Sequence, residues 1–256
     1  MTGKFLIIVP ESAAPPALIG AALVENGFAY DTIYPTERFA SREPLRYPGL
    51  PAEPGDYLGL IVMGGPMSAH DTAEHAFLIE LMALIRSFAL KKRPVLGVCL
   101  GCQVIAKAYG GEVFRLGRLE AGYVAMHTTP EAATDPVFAD LAGEFTAFHT
   151  HYEGVRGIPG AVTLATGGAS AVQAYRIGDR VYGVQFHPEV TIDVARDWMR
   201  KFGAVFAKDE PRLVTDLDRD FASYFPSSAA FCRRLFANWT GLAQIDARSR
   251  ASSCGT

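Results

Sequence analysis

The stretch Pro94-Val-Leu-Gly-Val-Cys-Leu-Gly-Cys-Gln-Val-Ile-Ala-Lys-Ala-Tyr109 decides how this chain reads. Pro94 to Val98 is an apolar run of strand length, and Leu100 to Tyr109 has helical composition, stopped by Gly110-Gly111. The junction falls on Cys99, with Gly97 and Gly101 two positions to either side. A strand that turns straight into a helix strains the backbone of its central residue, and bulkier side chains in place of the glycines would collide with the elements packed around the turn. Such a turn sets the sulfur at the carboxyl edge of a sheet, facing a helix N-terminus whose partial positive charge favours thiolate. The same helix end presents free backbone N–H groups, Leu100 first, that can stabilise an oxyanion.

Working towards the N-terminus, Leu58 to Met63 reads as a strand closed by Gly64-Gly65-Pro66, and Ala73 to Leu90 as a helix with Phe77, Leu81, Leu84, Ile85 and Phe88 on one face. Phe5-Leu-Ile-Ile-Val9 is a buried strand, followed by a helix from Pro15-Pro16 to Asn26-Gly27 and a strand from Phe28 to Tyr34. Pro35 to Gly55 reads as a long surface connection. Alternating buried strands and helices predict an α/β fold, a three-layer open and mostly parallel sheet flanked by helices.

Beyond Gly111 the pattern changes. Phe145 to His149, Val162 to Ala165, Ala171 to Ile177 and Arg180 to Phe186 are strand-like, the last two joined by a turn at Gly178-Asp179, which predicts a smaller antiparallel section in the second half. Val194 to Ala207 and Ser228 to Leu242 read as helices, with Trp198 and Trp239 as core anchors and Ser249 to Thr256 as a frayed tail. The expected organisation is one domain over residues 1–208 and a helical extension, residues 209–256, packed on it.

Composition narrows the function. The 256 residues are 49% apolar and carry a net charge of −3 with no long run of Lys or Arg, so neither nucleic acid nor an acidic membrane is an expected partner. The apolar run at the start is too short for a signal peptide or a membrane span, and 4 cysteines are too few and too unevenly placed for a disulfide framework; both point to a soluble, cytoplasmic protein in a reducing compartment. Thiol chemistry is then available to Cys99.

A second motif supplies what such a thiol needs. In Gly183-Val-Gln-Phe-His-Pro-Glu189, Pro188 disfavours helical geometry at His187, and residues two apart in an extended chain point the same way, which sets Glu189 beside the His187 ring. A thiolate attacking an amide uses an imidazole to protonate the leaving amine and to activate water, with a third group orienting the ring. Cys99 has other readings: a small buried apolar residue, a Cys99-x-x-Cys102 redox pair, or half of a zinc site completed by His149 and His151. None of these accounts for the glycines or for the His-Pro-Glu partner.

Gly97-Val-Cys-Leu-Gly-Cys-Gln103 resembles the nucleophile motif of class I glutamine amidotransferases, Gly183 to Glu189 their His/Glu motif, and Met63-Gly-Gly-Pro66 their oxyanion loop, in the family's order and within a resemblance that covers roughly residues 5–198. That family includes the glutaminase domain of GMP synthetase. The resemblance implies a flavodoxin-like amidotransferase fold, a Cys99–His187–Glu189 triad, and an oxyanion hole from the backbone N–H groups of Gly65 and Leu100. It implies substrate contacts at Gln103, Thr150 and His151, no cofactor and no metal. Cys102 stands where many relatives have His or Ser, and Tyr152-Glu153 replaces a Gly-Asp pair seen in some. The expected substrate is L-glutamine or a γ-glutamyl compound. Because the sequence carries no synthetase domain, ammonia delivery to a synthetase or acceptor subunit, γ-glutamyl peptide hydrolysis and a non-catalytic binding role all stay open.

Overall fold

Both faces of the N-terminal apolar run are sealed, and this sets the layers. A computed structural model describes residues 3–36, 49–141 and 143–253; most of the Pro35–Gly55 connection and the last three residues of the tail lie outside them. The first half alternates β1 (Lys4–Ile8), α1 (Ala17–Glu25), β2 (Ala29–Ile33), β3 (Leu60–Val62), α2 (Phe77–Leu90), β4 (Val95–Val98) and α3 (Leu100–Ala108). Phe5 and Ile7 of β1 pack with Ile19, Ala22 and Leu23 of α1, whereas Leu6 and Ile8 pack with Leu78, Leu81 and Ile85 of α2 and Ile105 of α3. Period-two alternation therefore feeds two helical layers, and each fully buried aliphatic or aromatic side chain contributes about 1.5–3 kcal/mol.

The second half holds β5 (Glu112–Thr128), β6 (Glu144–Arg156), β7 (Ala161–Gly167), β8 (Ser170–Ile177), β9 (Val181–Val184), α4 (Ile192–Asp209), α5 (Pro211–Thr215) and α6 (Leu217–Ser253). Among the described residues these strands join one 9-stranded sheet in the order β2-β1-β3-β4-β9-β8-β7-β5-β6. From β2 to β9 every pairing is parallel, and from β9 to β6 every pairing is antiparallel. The predicted α/β architecture is thus observed, with the antiparallel section continuous with the parallel sheet. Gly178, at φ +55°, turns β8 back into β9.

Four elements differ from the sequence reading, one being β6, which was expected to end at His149 and continues to Arg156. The 17-residue β5 was not anticipated, because its charged residues and glycines obscure any alternation and its pairing with β6 is irregular between Arg115 and Glu120. The helix expected from Ala73 begins at Phe77. The helix expected from Ser228 begins at Leu217 and runs through Pro226, held before the proline by the buried Leu217 and Phe221 and after it by Leu235, Phe236 and Trp239. It continues to Ser253, through most of the tail expected to fray. Trp239 is wholly buried against Phe5.

Candidate active site

Cys99 occupies the turn between β4 and α3 at φ 51°, ψ −106°, a backbone conformation that costs a non-glycine residue of order 1–3 kcal/mol. The flanking glycines make the turn possible. A Cβ on Gly97 would lie 2.5 Å from the carbonyl of Gly101, and one on Gly101 would collide with the carbonyl oxygen of Val62. The N–H of Cys99 donates to the Val184 carbonyl at 2.9 Å, tying the turn to β9.

Parallel pairing of β4 and β9, with Val98 opposite Val184, brings both strand ends to one sheet edge. Beyond β9 the chain stays extended: Gln185 N–H donates to Gln173 at 2.8 Å and His187 N–H to Phe148 of β6 at 2.7 Å. His187 Nδ1 lies 2.7 Å from Glu189 Oε1, and Thr150 Oγ1 lies 3.3 Å from Nε2. Cys99 stands beside the ring, within side-chain hydrogen-bond reach of it, and a Cβ on Gly64 would meet both His187 Cε1 at 3.0 Å and Cys99 Cβ at 3.5 Å. Cys99, His187 and Glu189 are therefore brought together, and all are buried.

Their electrostatics are consistent with this arrangement. Burial works hardest against charge on His187, yet the Glu189 carboxylate, and then the Cys99 sulfur by charge and hydrogen bond, raise the imidazole's pKa from 6.5 to about 10. Glu189 is sealed from solvent, with the thiol of Cys232 behind it pushed up by burial and by the carboxylate's charge. The raised imidazole, beside a sulfur and backed by a buried acidic side chain, is an arrangement in which a thiol can act as nucleophile and the ring as its acid–base partner.

A cavity of about 750 Å³ opens on this edge, lined by Cys99, His187, Gly65, Gln103, Thr150 and His151, so every residue expected in the amide-hydrolysing site reaches it except the wholly buried Glu189 and Leu100. Leu100 begins α3, whose first-turn amides lack intrahelical acceptors, and a Cβ on Gly65 would lie 3.0 Å from Leu100 Cδ2. Gln103 Nε2 donates to the Glu153 carbonyl at 3.1 Å and to Gln185 Oε1 at 3.3 Å. His151 lines the cavity but turns both ring nitrogens to protein: Nδ1 to the Glu153 carbonyl at 2.8 Å and Nε2 to Glu120 Oε2 at 2.9 Å. The Cys-x-x-Cys zinc alternative is not assembled, since Cys102 Sγ faces Gln185 Oε1 at 3.5 Å.

Several cavity residues escaped the sequence reading. Trp198, expected as a core anchor, is buried but also stands edge-on to the His187 ring, centroids 4.7 Å apart, with its Nε1 donating to the Ala13 carbonyl at 2.6 Å. Phe202, Val205 and Phe206 extend the α4 wall outward from it. Ser68 Oγ donates to the Glu153 carboxylate at 2.9 Å, joining the loop after β3 to β6, and Arg115 lies over the Tyr152 ring at 5.2 Å. An amphipathic helix gives no sign in its sequence that its edge lines a cavity, whereas Tyr152 and Glu153, which the sequence does mark as a departure, both line it.

The family model for class I glutamine amidotransferase matches residues 19–204. The chain belongs to that family. Among curated relatives it is 38% identical over 135 residues to a glutamine-hydrolysing GMP synthase subunit of Methanococcus vannielii, covering 52% of this chain and 65% of that protein. It is 30% identical over 151 residues to the glutamine amidotransferase-like protein YfeJ of Salmonella typhimurium, covering 56% of this chain and 62% of the relative. In each case the match spans less than two thirds of the relative. Among solved structures, a glutamine amidotransferase from Methylobacillus flagellatus superposes with a TM-score of 0.77 at 28% identity, covering 94% of this chain and 95% of that one. One from Thermotoga maritima, at 21% identity and a TM-score of 0.75 over 93% of this chain and 98% of its own, shares the fold. Among the described residues of this family member no helix is long and apolar enough to cross a membrane.

Proposed function

We propose that this amidotransferase-family chain hydrolyses the side-chain amide of L-glutamine through a thioester on Cys99, and that the ammonia released serves an acceptor or partner yet to be identified. The observation that carries this reading is the convergence of Cys99 and His187 on the cavity, with Glu189 Oε1 buried behind the ring at 2.7 Å from His187 Nδ1. Cys99 Sγ attacks the amide carbon, and charge gathers on the carbonyl oxygen beside the N–H groups of Gly65 and Leu100. The C–N bond breaks as His187 gives its proton to the departing nitrogen. Water then yields a proton to His187 and attacks the thioester carbon, the C–S bond breaks, and glutamate leaves. Gln103, Thr150 and the wall at His151 would hold the amino-acid end.

The chain is read as one unit, with the amidotransferase domain over residues 1–208 and an extension over residues 209–256; the burial of Leu213, Leu217, Phe221 and Trp239 supports it. A second reading, γ-glutamyl peptide hydrolysis by the same triad, is favoured by the cavity's reach past the triad to Phe202, Val205 and Phe206. Incubation with glutamine and with γ-glutamyl peptides, measuring ammonia and released amine separately, decides between them. Faster ammonia release from glutamine supports the first reading, and faster amine release from peptides supports the second. Tight binding of either without turnover would leave only a binding role.

A further inference from the structure

We propose that Glu120, His149 and His151 form a buried site for a divalent transition-metal ion of the zinc class, clamping β5 to β6 behind the cavity wall. The pairing of β5 and β6 resumes at Glu120 after its irregular stretch, with Glu120 opposite His151 and Gly122 opposite His149. The two histidines, two apart on one strand, share a face. Each of the three side chains offers one ligand atom to a common point: Glu120 Oε2 and His151 Nε2 are 2.9 Å apart, His151 Nε2 and His149 Nδ1 3.1 Å, and His149 Nδ1 and Glu120 Oε2 3.7 Å. Ligands about 2.0–2.1 Å from a tetrahedral ion stand roughly 3.3 Å from one another, and the observed separations bracket that edge.

The hydrogen-bond inventory points the same way. His151 Nδ1 faces the Glu153 carbonyl at 2.8 Å, and a carbonyl only accepts, so Nδ1 carries the hydrogen. In the neutral ring Nε2 then holds a lone pair aimed at a carboxylate oxygen, with a second imidazole nitrogen aimed at the same spot. A proton or a cation must lie between His151 Nε2 and the carboxylate oxygen. A proton on Nε2 points at one partner at a time, whereas a divalent ion satisfies all three at once. Two of the three ligands have the outer partners that metal ligands use: His151 donates its other N–H to a backbone carbonyl, and the Glu120 oxygens accept from Ala169 N–H and from Gln173 Nε2, whereas the buried His149 Nε2 has none among the described residues. Gly168, at φ +60°, leaves the room that lets this turn close over Glu120, because a Cβ there would collide with the carboxylate. His151 also lines the cavity, which gives an ion a route to the site. Mixed imidazole and carboxylate donors suit zinc, cobalt or nickel better than calcium or magnesium.

The test uses the full chain carrying Cys99→Ala, which removes the competing thiol of the triad, stripped with a chelator and titrated with Co²⁺ alone and Zn²⁺ alone. The expected result is uptake of about one ion per chain, visible cobalt bands without sulfur-to-metal charge transfer, and a rise in Tm of about 5–10 °C at a hundredfold excess over Kd. His149→Gln and Glu120→Gln should each weaken uptake by at least about 100-fold. No uptake, or uptake undiminished in both variants, overturns the site. If either variant fails to fold, X-ray absorption on the cobalt-loaded parent decides: an all-nitrogen and oxygen shell with two imidazoles supports it, and sulfur in the shell refutes it. Nitrogen NMR showing a doubly protonated His151 in metal-saturated buffer would mean that a proton alone fills the gap.

Discussion

The parallel half of the sheet and the antiparallel half build the candidate site by different rules. Strands β1, β3, β4 and β9 are short, apolar on both faces and covered by helices, and the register of β4 with β9 brings the ends that carry Cys99 and His187 to one edge, where the bridge to Phe148 of β6 then fixes His187. Strands β5 and β6 are long and partly polar, and they supply the wall, in which Thr150 is held by His187, His151 by Glu120 across the strands and by the Glu153 carbonyl, and Glu153 by Ser68. On the proposed reading, chemistry would rest on backbone packing in one half and substrate fit on a polar network in the other. Changes in the parallel half should therefore abolish turnover or folding, and changes in the antiparallel half should shift affinity.

The largest effect is expected at the sulfur. Cys99→Ala should lower turnover of glutamine or γ-glutamyl substrates by at least about 10⁴-fold while circular dichroism and Tm stay near wild type. Turnover close to wild type would remove Cys99 from the mechanism. Glu189→Gln keeps the shape beside His187 but not the charge, and kcat should fall roughly 10²–10⁴-fold. Equal kcat in both forms would make Glu189 a structural residue only. Gly101→Ala tests the packing side of the comparison: the added methyl meets the Val62 carbonyl, and a loss of about 1–3 kcal/mol or more is expected in denaturant unfolding. An unchanged midpoint would show that the turn can relax.

The raised pKa of His187 gives a prediction with a definite sign. The folded protein holds that proton more tightly than the unfolded chain does, so the associated stability is fully present below pH 6.5 and is lost as pH rises towards about 10. Tm should decline over that window, and Glu189→Gln, which removes the main charge raising the pKa, should flatten the decline. An identical slope in both forms would place the linkage elsewhere. The smallest effect belongs to the antiparallel wall: Glu153→Gln keeps the carbonyl that holds Gln103 and His151 but weakens the link to Ser68, so KM should rise about 3–10-fold with kcat nearly unchanged. A fall in kcat instead would show that the loop after β3 acts on the reacting carbonyl.

The same contrast explains what the sequence revealed. The strand-to-helix turn at Cys99 and the proline-held His187 and Glu189 announce themselves, because local backbone geometry demands those residue types at those spacings. The parallel strands were legible as unbroken apolar runs. Strand β5 was hidden because its order comes from partners far along the chain, such as the pairing of Glu120 with His151, and Pro226 masked the start of α6 for the same reason. Trp198 was placed in the core, where it does lie; only the fold shows that its edge faces His187.

Covalent thioester formation between Cys99 and a γ-glutamyl group is the step on which the proposed chemistry rests. Protein mixed with glutamine or a γ-glutamyl peptide, quenched in acid and measured as intact mass and as peptides, tests it directly. A transient gain of one γ-glutamyl group on the peptide carrying Cys99, absent in Cys99→Ala, is the predicted result. Turnover with no adduct at Cys99, or with the adduct on another residue, would contradict it.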